Sequence, residues 1–118
     1  MPTREQHVTK ADGNAAFALS LPLENQTQIE WALVALFYAA MHYIEAYLAP
    51  NTHLRSHEAR DKYVGRESHL RLIFKEYSHL KYFSVNASYE ICTFRAEDVQ
   101  NEASRDYETI KRHIGTKL

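Results

Sequence analysis

The sequence is poor in the residues that break or cross-link a chain. Its 118 residues include three glycines, three prolines and one cysteine. So little glycine and proline argues against a disordered chain or a β protein with many tight turns. A lone cysteine, Cys92, cannot form an internal disulfide, which excludes a disulfide scaffold and favours a reducing compartment. The length and the net charge of −1 fit a single domain over residues 1–118.

Signals for secretion and membrane insertion are weak. The N-terminal residues mix charged and apolar side chains, so the continuous hydrophobic region of a signal peptide is missing. The most apolar segment, Trp31 to Ala49, contains His42 and Glu45 and has no basic flank. A charge near the centre of a spanning helix is costly, so we interpret this segment as a core helix. We expect a soluble, cytoplasmic protein that does not bind a membrane.

Apolar residues recur at helical spacing along nearly the whole chain, which predicts an all-α fold. Short connections between the segments favour an antiparallel bundle of about five helices. Thr27 and Glu30 have the spacing of a capping box for the second helix, and Gly65 is expected to end the third. The second helix is apolar on two sides, so we expect it to be the centre of the bundle or to line a dimer interface. The predicted helices lie at about 6–19, 27–49, 56–64, 70–87 and 96–114, with residues 89–94 extended or in a loop.

Two pairs of polar residues are candidates for chemistry. His42 and Glu45 lie three positions apart on the predicted central helix and so share one face. They would form either an acid–base pair in a cleft or a satisfied polar pair that keeps two helices in register. His57 and Arg60 have the same spacing. Arg60 would hold a phosphate while His57 exchanges protons, or it would pair with a nearby carboxylate in a surface turn.

Residues 53–81 form a locally basic stretch, with seven lysines and arginines against four acidic residues. Four histidines and three aromatic residues lie within it, as a polyanion-binding face would require. A solvated face of mixed charge is the alternative that we favour, because nucleic-acid-binding domains are usually far more basic.

Metal and cofactor sites have little support in the sequence. Glu76 and His79 have the spacing found in carboxylate di-metal bundles, but His42 and Glu45, the only companion pair, run in the reverse order. His53 lies four positions before His57, with no third ligand indicated. The glycines are isolated, so a glycine-rich phosphate loop is absent. We therefore predict no metal ion and no cofactor.

One long segment carries a family resemblance. Residues 31–48 read WALVALFYAAMHYIEAYL, and residues 56–60 read SHEAR. Together they resemble the central helix and the following helix of a small prokaryotic branch of the HEPN-like proteins. The resemblance extends over about residues 7–112, through the preceding and later helices, at His7, Asn14, Phe17, Tyr77, Leu80, Ser84, Ala87 and Tyr89.

The resemblance implies a helical bundle that forms a homodimer. Many HEPN proteins are metal-independent ribonucleases of defence systems or toxin–antitoxin pairs, with an Arg-x4–6-His motif at the dimer cleft, whereas others only bind RNA or a partner protein. This chain departs from the ribonuclease motif, and Ser88 stands where related sequences are expected to have arginine. Its arginine–histidine separations include two or seven intervening residues, at Arg66–His69, Arg71–His79 and Arg105–His113, and none has four to six.

Two functions remain open at this point. The first is an RNA-binding or ribonuclease module that acts through His57 and Arg60, with His42 and Glu45 behind them. The second is a non-enzymatic helical protein that binds a partner chain, such as a cognate antitoxin. Convergence of the four polar residues in one place would favour the first function.

Overall fold

Five helices make up the structure, a computed structural model that describes residues 2–54, 56–89 and 92–118. Helix α1 spans Arg4–Ser20, α2 spans Gln26–Leu48, α3 spans His57–Arg66, α4 spans Phe74–Tyr89 and α5 spans Ser104–Gly115. A 3₁₀ turn, Leu70–Ile73, leads into α4, and a π-helical turn, Asp98–Ala103, leads into α5. The fold is 79% helical, and the described residues contain no strand. The predicted all-α bundle is therefore confirmed.

Parts of two predictions lie outside the described residues. The stretch at 89–94 was expected to be extended or in a loop, and it includes Glu90 and Ile91. Its described residues divide between the last position of α4 and an irregular segment that begins at Cys92. The basic stretch at 53–81 includes Arg55, which also lies outside.

Helix α2 is the centre of the bundle. It packs against α1, α4 and α5, and its residues Leu33, Leu36 and Ile44 are at most 1% exposed. By length and composition it is one helix that could cross a membrane, but 72% of its most apolar stretch is buried inside the fold. Burial of each large apolar side chain contributes about 1.5–3 kcal/mol. Bundle packing therefore accounts for the long apolar run.

One stripe of α2 stays exposed in the fold. It runs from Trp31, which is 57% exposed, through Val34 to Tyr38, which is 38% exposed. Helices α1, α4 and α5 cover the other faces of α2. The prediction that α2 is the centre of the bundle is confirmed, whereas the alternative that it lines a dimer interface stays a prediction.

The first two helices begin earlier than predicted because a cap lies upstream. Thr3 accepts the backbone N–H of Gln6, and the Gln6 side chain accepts the Thr3 N–H. This capping box starts α1 at Arg4. Asn25, rather than Thr27, caps α2 by accepting the N–H of the third helical residue. An asparagine side chain caps a helix at least as well as threonine does.

Helix α3 starts as predicted but ends differently. Ser56 is the N-cap, and its hydroxyl accepts the N–H three residues later. Gly65 lies within the helix, which ends at Arg66. Glu67 is extended, and its carboxylate accepts the backbone N–H groups two and three residues later. A carboxylate, rather than a glycine, therefore shapes the connection from α3 to α4.

Candidate functional site

The four residues predicted to act together lie together, where α2 meets the start of α3. Arg60 Nε donates to Glu45 Oε1 at 3.2 Å. Arg60 Nη1 lies 3.1 Å from His57 Nδ1. His42 lies one helical turn before Glu45 and joins the cluster through His7. The shared helix face of His42 and Glu45 thus turns towards α3, and we call this group the α2–α3 cluster.

The ion pair between Arg60 and Glu45 is buried. The Arg60 side chain is 8% exposed and the Glu45 side chain is 4% exposed. Removing two charges from water is costly, so such a pair persists only with close contact and further hydrogen bonds. Arg60 therefore pairs with a carboxylate, as the alternative predicted, but the pair is buried and does not lie in a surface turn. Because its guanidinium is held by internal partners, Arg60 positions its neighbours rather than holding a ligand itself.

His57 is fixed in one tautomer by Arg60. An arginine has donors and no acceptor, so His57 Nδ1 must accept the hydrogen bond from Arg60 Nη1. The proton of the neutral imidazole then lies on Nε2. The Phe37 ring stacks against the imidazole, with ring centroids 6.2 Å apart, and the His57 residue is exposed. His57 therefore presents an N–H donor at the protein surface.

His42 pairs with a histidine rather than with Glu45. His42 Nδ1 lies 3.1 Å from His7 Nδ1, so one of these nitrogens donates and the other accepts. Burial, followed by the nearby positive charges of His7, Lys10 and Arg60, lowers the pKa of His42 to about 4. Burial also lowers the pKa of His7. Both imidazoles are therefore neutral at neutral pH, and the predicted His42–Glu45 acid–base pair is not formed.

Three further residues of this region were missed by sequence reasoning. Arg4 donates to the backbone carbonyls of Ala46 and Ala49 at 3.0 Å each, which satisfies the last turn of α2. His7 and His53 approach Glu45, with His53 Nδ1 3.7 Å from Glu45 Oε2. The Thr3-x-x-Gln6 capping box could have placed Arg4 and His7 in the first turns of α1. The signal for His53 was its spacing from His57, which did not point to Glu45, because a non-helical connection returns His53 to α2.

The basic stretch at 53–81 is a face of mixed charge. Among the described cationic residues of this stretch, three are paired with carboxylates, so their charge is offset locally. This distribution agrees with the solvated alternative and gives little support to a polyanion-binding face. The pairs are Arg60–Glu45, Lys62–Glu58 and Lys81–Asp61.

The Glu76–His79 spacing does not produce a metal-binding group. His79 Nδ1 is hydrogen-bonded to the Asp106 carboxylate on α5, so its imidazole joins two helices. Among the described residues, the one group with the ligand types and closeness for a metal ion is His7, Glu45 and His53.

An exposed apolar stripe lies on the α2 surface that the chain leaves uncovered. Trp31 and Val34 line a shallow groove with Ala87 and Ser88 of α4. Tyr38 continues the stripe, and its ring contacts Phe37 edge-on at 5.8 Å between centroids. Since Phe37 also stacks on His57, the stripe ends close to the α2–α3 cluster.

Comparison of the chain with models of known protein families, with curated proteins and with solved structures found no match. Functional inference therefore rests on the α2–α3 cluster, on His7 and His53 beside it, and on the exposed stripe of α2.

Proposed function

We propose that this protein is a HEPN-like module that binds RNA at the α2–α3 cluster and holds it without cleaving it. The observation that carries the proposal is the hydrogen bond from Arg60 to His57 Nδ1, which directs an N–H donor outward. The choice of RNA follows from the resemblance of residues 31–60 to HEPN proteins.

The chemistry of the cluster suits a phosphodiester group. An imidazole N–H can donate to a phosphate oxygen, and Arg60 lies directly behind that imidazole with its fixed positive charge. Arg4 and Lys10 lie in the same region, against the one buried carboxylate of Glu45. Because Glu45 offsets the charge of Arg60, Arg4 and Lys10 supply the positive charge that would attract a phosphate.

The same geometry favours binding over cleavage. A ribonuclease base must accept the 2′-hydroxyl proton through a nitrogen lone pair. The His57 lone pair faces Arg60, and the Nδ1 atom of His42 faces His7. Neither atom is directed towards a ligand at the surface. The missing Arg-x4–6-His spacing agrees with a module that only binds.

The test is retention of labelled single-stranded RNA by the full chain in EDTA, followed by fluorescence anisotropy and by gel analysis of the RNA. We expect binding that weakens with added salt, intact RNA, and an affinity loss of about tenfold for His57→Ala, near the 1.4 kcal/mol that one charge-assisted hydrogen bond supplies. His57→Gln should retain more affinity than His57→Ala, because its amide can accept from Arg60 and donate outward. His79→Ala, on α4, is the matched control and should bind as the wild type does.

Two results would contradict this proposal. If the wild type does not retain RNA at low salt, the RNA function is wrong. If the wild type cleaves RNA in EDTA and His57→Gln does not, His57 transfers a proton and the protein is a ribonuclease.

A second function, pairing with a partner chain, is favoured by the exposed stripe of α2. Trp31 is 57% exposed on the uncovered stripe of α2, and large exposed aromatics often mark interfaces. The HEPN resemblance makes a second copy of this chain the first candidate partner. Sedimentation of Trp31→Glu should then show a monomer where the wild type shows a dimer. Leu72→Glu, at an apolar position that is 67% exposed outside the stripe, is the control. A monomeric wild type would contradict homodimerisation.

A further inference from the structure

A buried carboxylate oxygen without a partner lies beside the histidines of this region. Glu45 is 3% exposed, and its Oε1 accepts from Arg60. Its other oxygen, Oε2, has no hydrogen-bond partner among the described residues. A buried charged oxygen without a partner carries a substantial desolvation cost. The oxygen therefore points to a ligand that would complete its coordination.

Two imidazoles flank this oxygen. His53 Nδ1 lies 3.7 Å from Glu45 Oε2, which is too long for a hydrogen bond. The His7 ring lies nearly parallel to the His53 ring, with centroids 6.5 Å apart and an interplanar angle of 27°. One potential ligand atom from each of His7, Glu45 and His53 lies within 4.8 Å of the other two. Three donors from three different segments thus meet at one point.

His42 can orient one of these donors. The 3.1 Å contact between the two Nδ1 atoms allows His7 to donate its Nδ1–H to His42. His7 Nε2 then carries a lone pair that is available to a ligand. Histidines that bind metals commonly donate the other ring N–H to a neighbour in this way. His42 thus has the geometry of a positioning residue.

We propose that His7 Nε2, Glu45 Oε2 and His53 Nδ1 bind one divalent first-row transition-metal ion. Two imidazoles and one carboxylate are the ligands that Zn²⁺ and Fe²⁺ sites use, whereas Ca²⁺ and Mg²⁺ prefer oxygen ligands. Bonds of about 2.0–2.2 Å would draw the three atoms closer than they lie now. The His53 side chain, 33% exposed and in a non-helical connection, can turn to close this distance. Three protein ligands leave a coordination position for water or another ligand.

This site shares Glu45 with the α2–α3 cluster but does not use His57, the proposed RNA contact. His57 lies on the Arg60 side of the cluster, whereas Oε2 of Glu45 faces His53. Variants of His53 and His57 therefore distinguish the two proposals.

The experiment is calorimetric titration of ZnCl₂ into the full chain after EDTA treatment and dialysis, at neutral pH. A parallel titration with CoCl₂ reports the ligand field through visible absorption. We expect one ion per chain and a loss of affinity of about tenfold or more for His53→Ala, which removes an exposed ligand. His57→Ala should bind the ion as the wild type does while its RNA affinity falls about tenfold. His53→Ala should bind RNA in EDTA as the wild type does.

Two outcomes would overturn the metal proposal. One is a wild type that neither releases heat with Zn²⁺ nor develops Co²⁺ absorption bands. The other is a His53→Ala variant that binds Zn²⁺ as tightly as the wild type. Failure of RNA retention, with Zn²⁺ binding intact, would reject the RNA function and leave this site in place.

Discussion

Two histidine pairs join distant parts of the chain, and they differ in what they leave unsatisfied. His69 and His113 stack with ring centroids 3.9 Å apart. His69 Nε2 contacts the His113 carbonyl oxygen at 3.1 Å, and His113 Nε2 contacts the His69 carbonyl oxygen at 2.7 Å. Each imidazole therefore donates to the backbone of the other. The pair fixes the α3–α4 connection to the end of α5.

The pair formed by His7 and His42 is open by comparison. Its one hydrogen bond joins two Nδ1 atoms, and beside it lie the unpartnered oxygen of Glu45 and the imidazole of His53. Both regions are rich in histidine and both contain hydrogen-bonded rings. The two regions differ in whether atoms that could bind a ligand remain available after the internal hydrogen bonds are made. For this reason we propose the metal site beside the open pair.

The largest effect should come from replacing Arg60, whose ion pair with Glu45 lies beside the open pair of His7 and His42. Arg60→Ala leaves the Glu45 carboxylate buried without its cation, and breaking a buried ion pair in this way costs about 3–5 kcal/mol. Urea denaturation at neutral pH measures the loss. The control is the double variant Glu45→Leu with Arg60→Met, which removes both charges and keeps similar volume. Its stability should lie close to that of the wild type, and an equal loss in both variants would show that charge burial is not the cause.

The second largest effect concerns the closed histidine pair, His69 and His113. Glu67 shapes the α3–α4 connection that carries His69. Glu67→Gln weakens the hydrogen bonds from the backbone N–H groups of His69 and Leu70, and we expect a loss of about 1–3 kcal/mol. Glu58→Gln is the matched control on α3, since its side chain is 80% exposed and its ion pair with Lys62 contributes little. Comparable losses in the two variants would contradict a special role for Glu67.

The effect of Glu67 should also depend on pH. Burial raises the pKa of its carboxyl, but the hydrogen bonds from His69, Leu70, Tyr47 and Ser68 outweigh burial and hold the pKa below its ordinary value of 4.5. The carboxylate therefore stabilises the fold above pH 4.5, and this contribution is lost as the pH falls through the lowered pKa. The difference in unfolding free energy between the wild type and Glu67→Gln should shrink in acid. A difference that grows in acid would reverse this assignment.

The sequence predicted the faces of helices better than the contacts between them. Helical spacing correctly placed α2 at the centre and put His42 with Glu45 and His57 with Arg60 on shared faces, because spacing along one helix is local geometry. A buried Glu45 carboxylate requires a partner such as an arginine from another helix, but the spacing did not predict the contact between Arg60 and Glu45. That contact depends on how the connection between α2 and α3 folds back, and no local pattern fixes this.

Two other differences between the predicted and the observed structure also arise because local spacing does not fix them. Asn25 caps α2 in place of Thr27, because both residue types can act as caps and the spacing to Glu30 did not choose between them. His53 reaches Glu45 from a non-helical segment, where periodicity carries no information. The roles of the cluster residues in RNA or metal binding remain predictions.

A smaller effect should follow from opening the closed histidine pair. His113→Ala removes one ring of the stack and the hydrogen bond that its Nε2 donates to the His69 carbonyl oxygen. We expect a loss of about 1–2 kcal/mol in thermal or urea unfolding, with RNA retention and Zn²⁺ affinity unchanged. If His113→Ala bound RNA or Zn²⁺ less tightly than the wild type, the closed and open pairs would be coupled. The contrast between them would then be weaker.

The closed pair should also make stability depend on pH near neutrality. Burial, followed by the proximity of His113, lowers the pKa of His69 from 6.5. The unfolded chain therefore takes up this proton first, so the free energy of unfolding should fall as the pH drops through 6.5. Urea unfolding of the wild type and His69→Ala across this range isolates the effect. The decline should be shallower in the variant, and an equal slope would assign the pH dependence elsewhere.

The smallest effect should come from the cap that starts α3. Ser56→Ala removes the hydroxyl that accepts the Ala59 N–H, for which we expect a loss of about 1 kcal/mol, whereas Ser56→Gly should lose only a few tenths. Because His57 and Arg60 lie in the first turns that this cap holds, fraying should loosen the Arg60–His57 hydrogen bond. NMR should then show changed His57 ring resonances in Ser56→Ala, while those of the closed pair stay fixed. Equal changes at both places would mean that the open and closed regions respond as one unit, and the contrast between them would not identify the functional site.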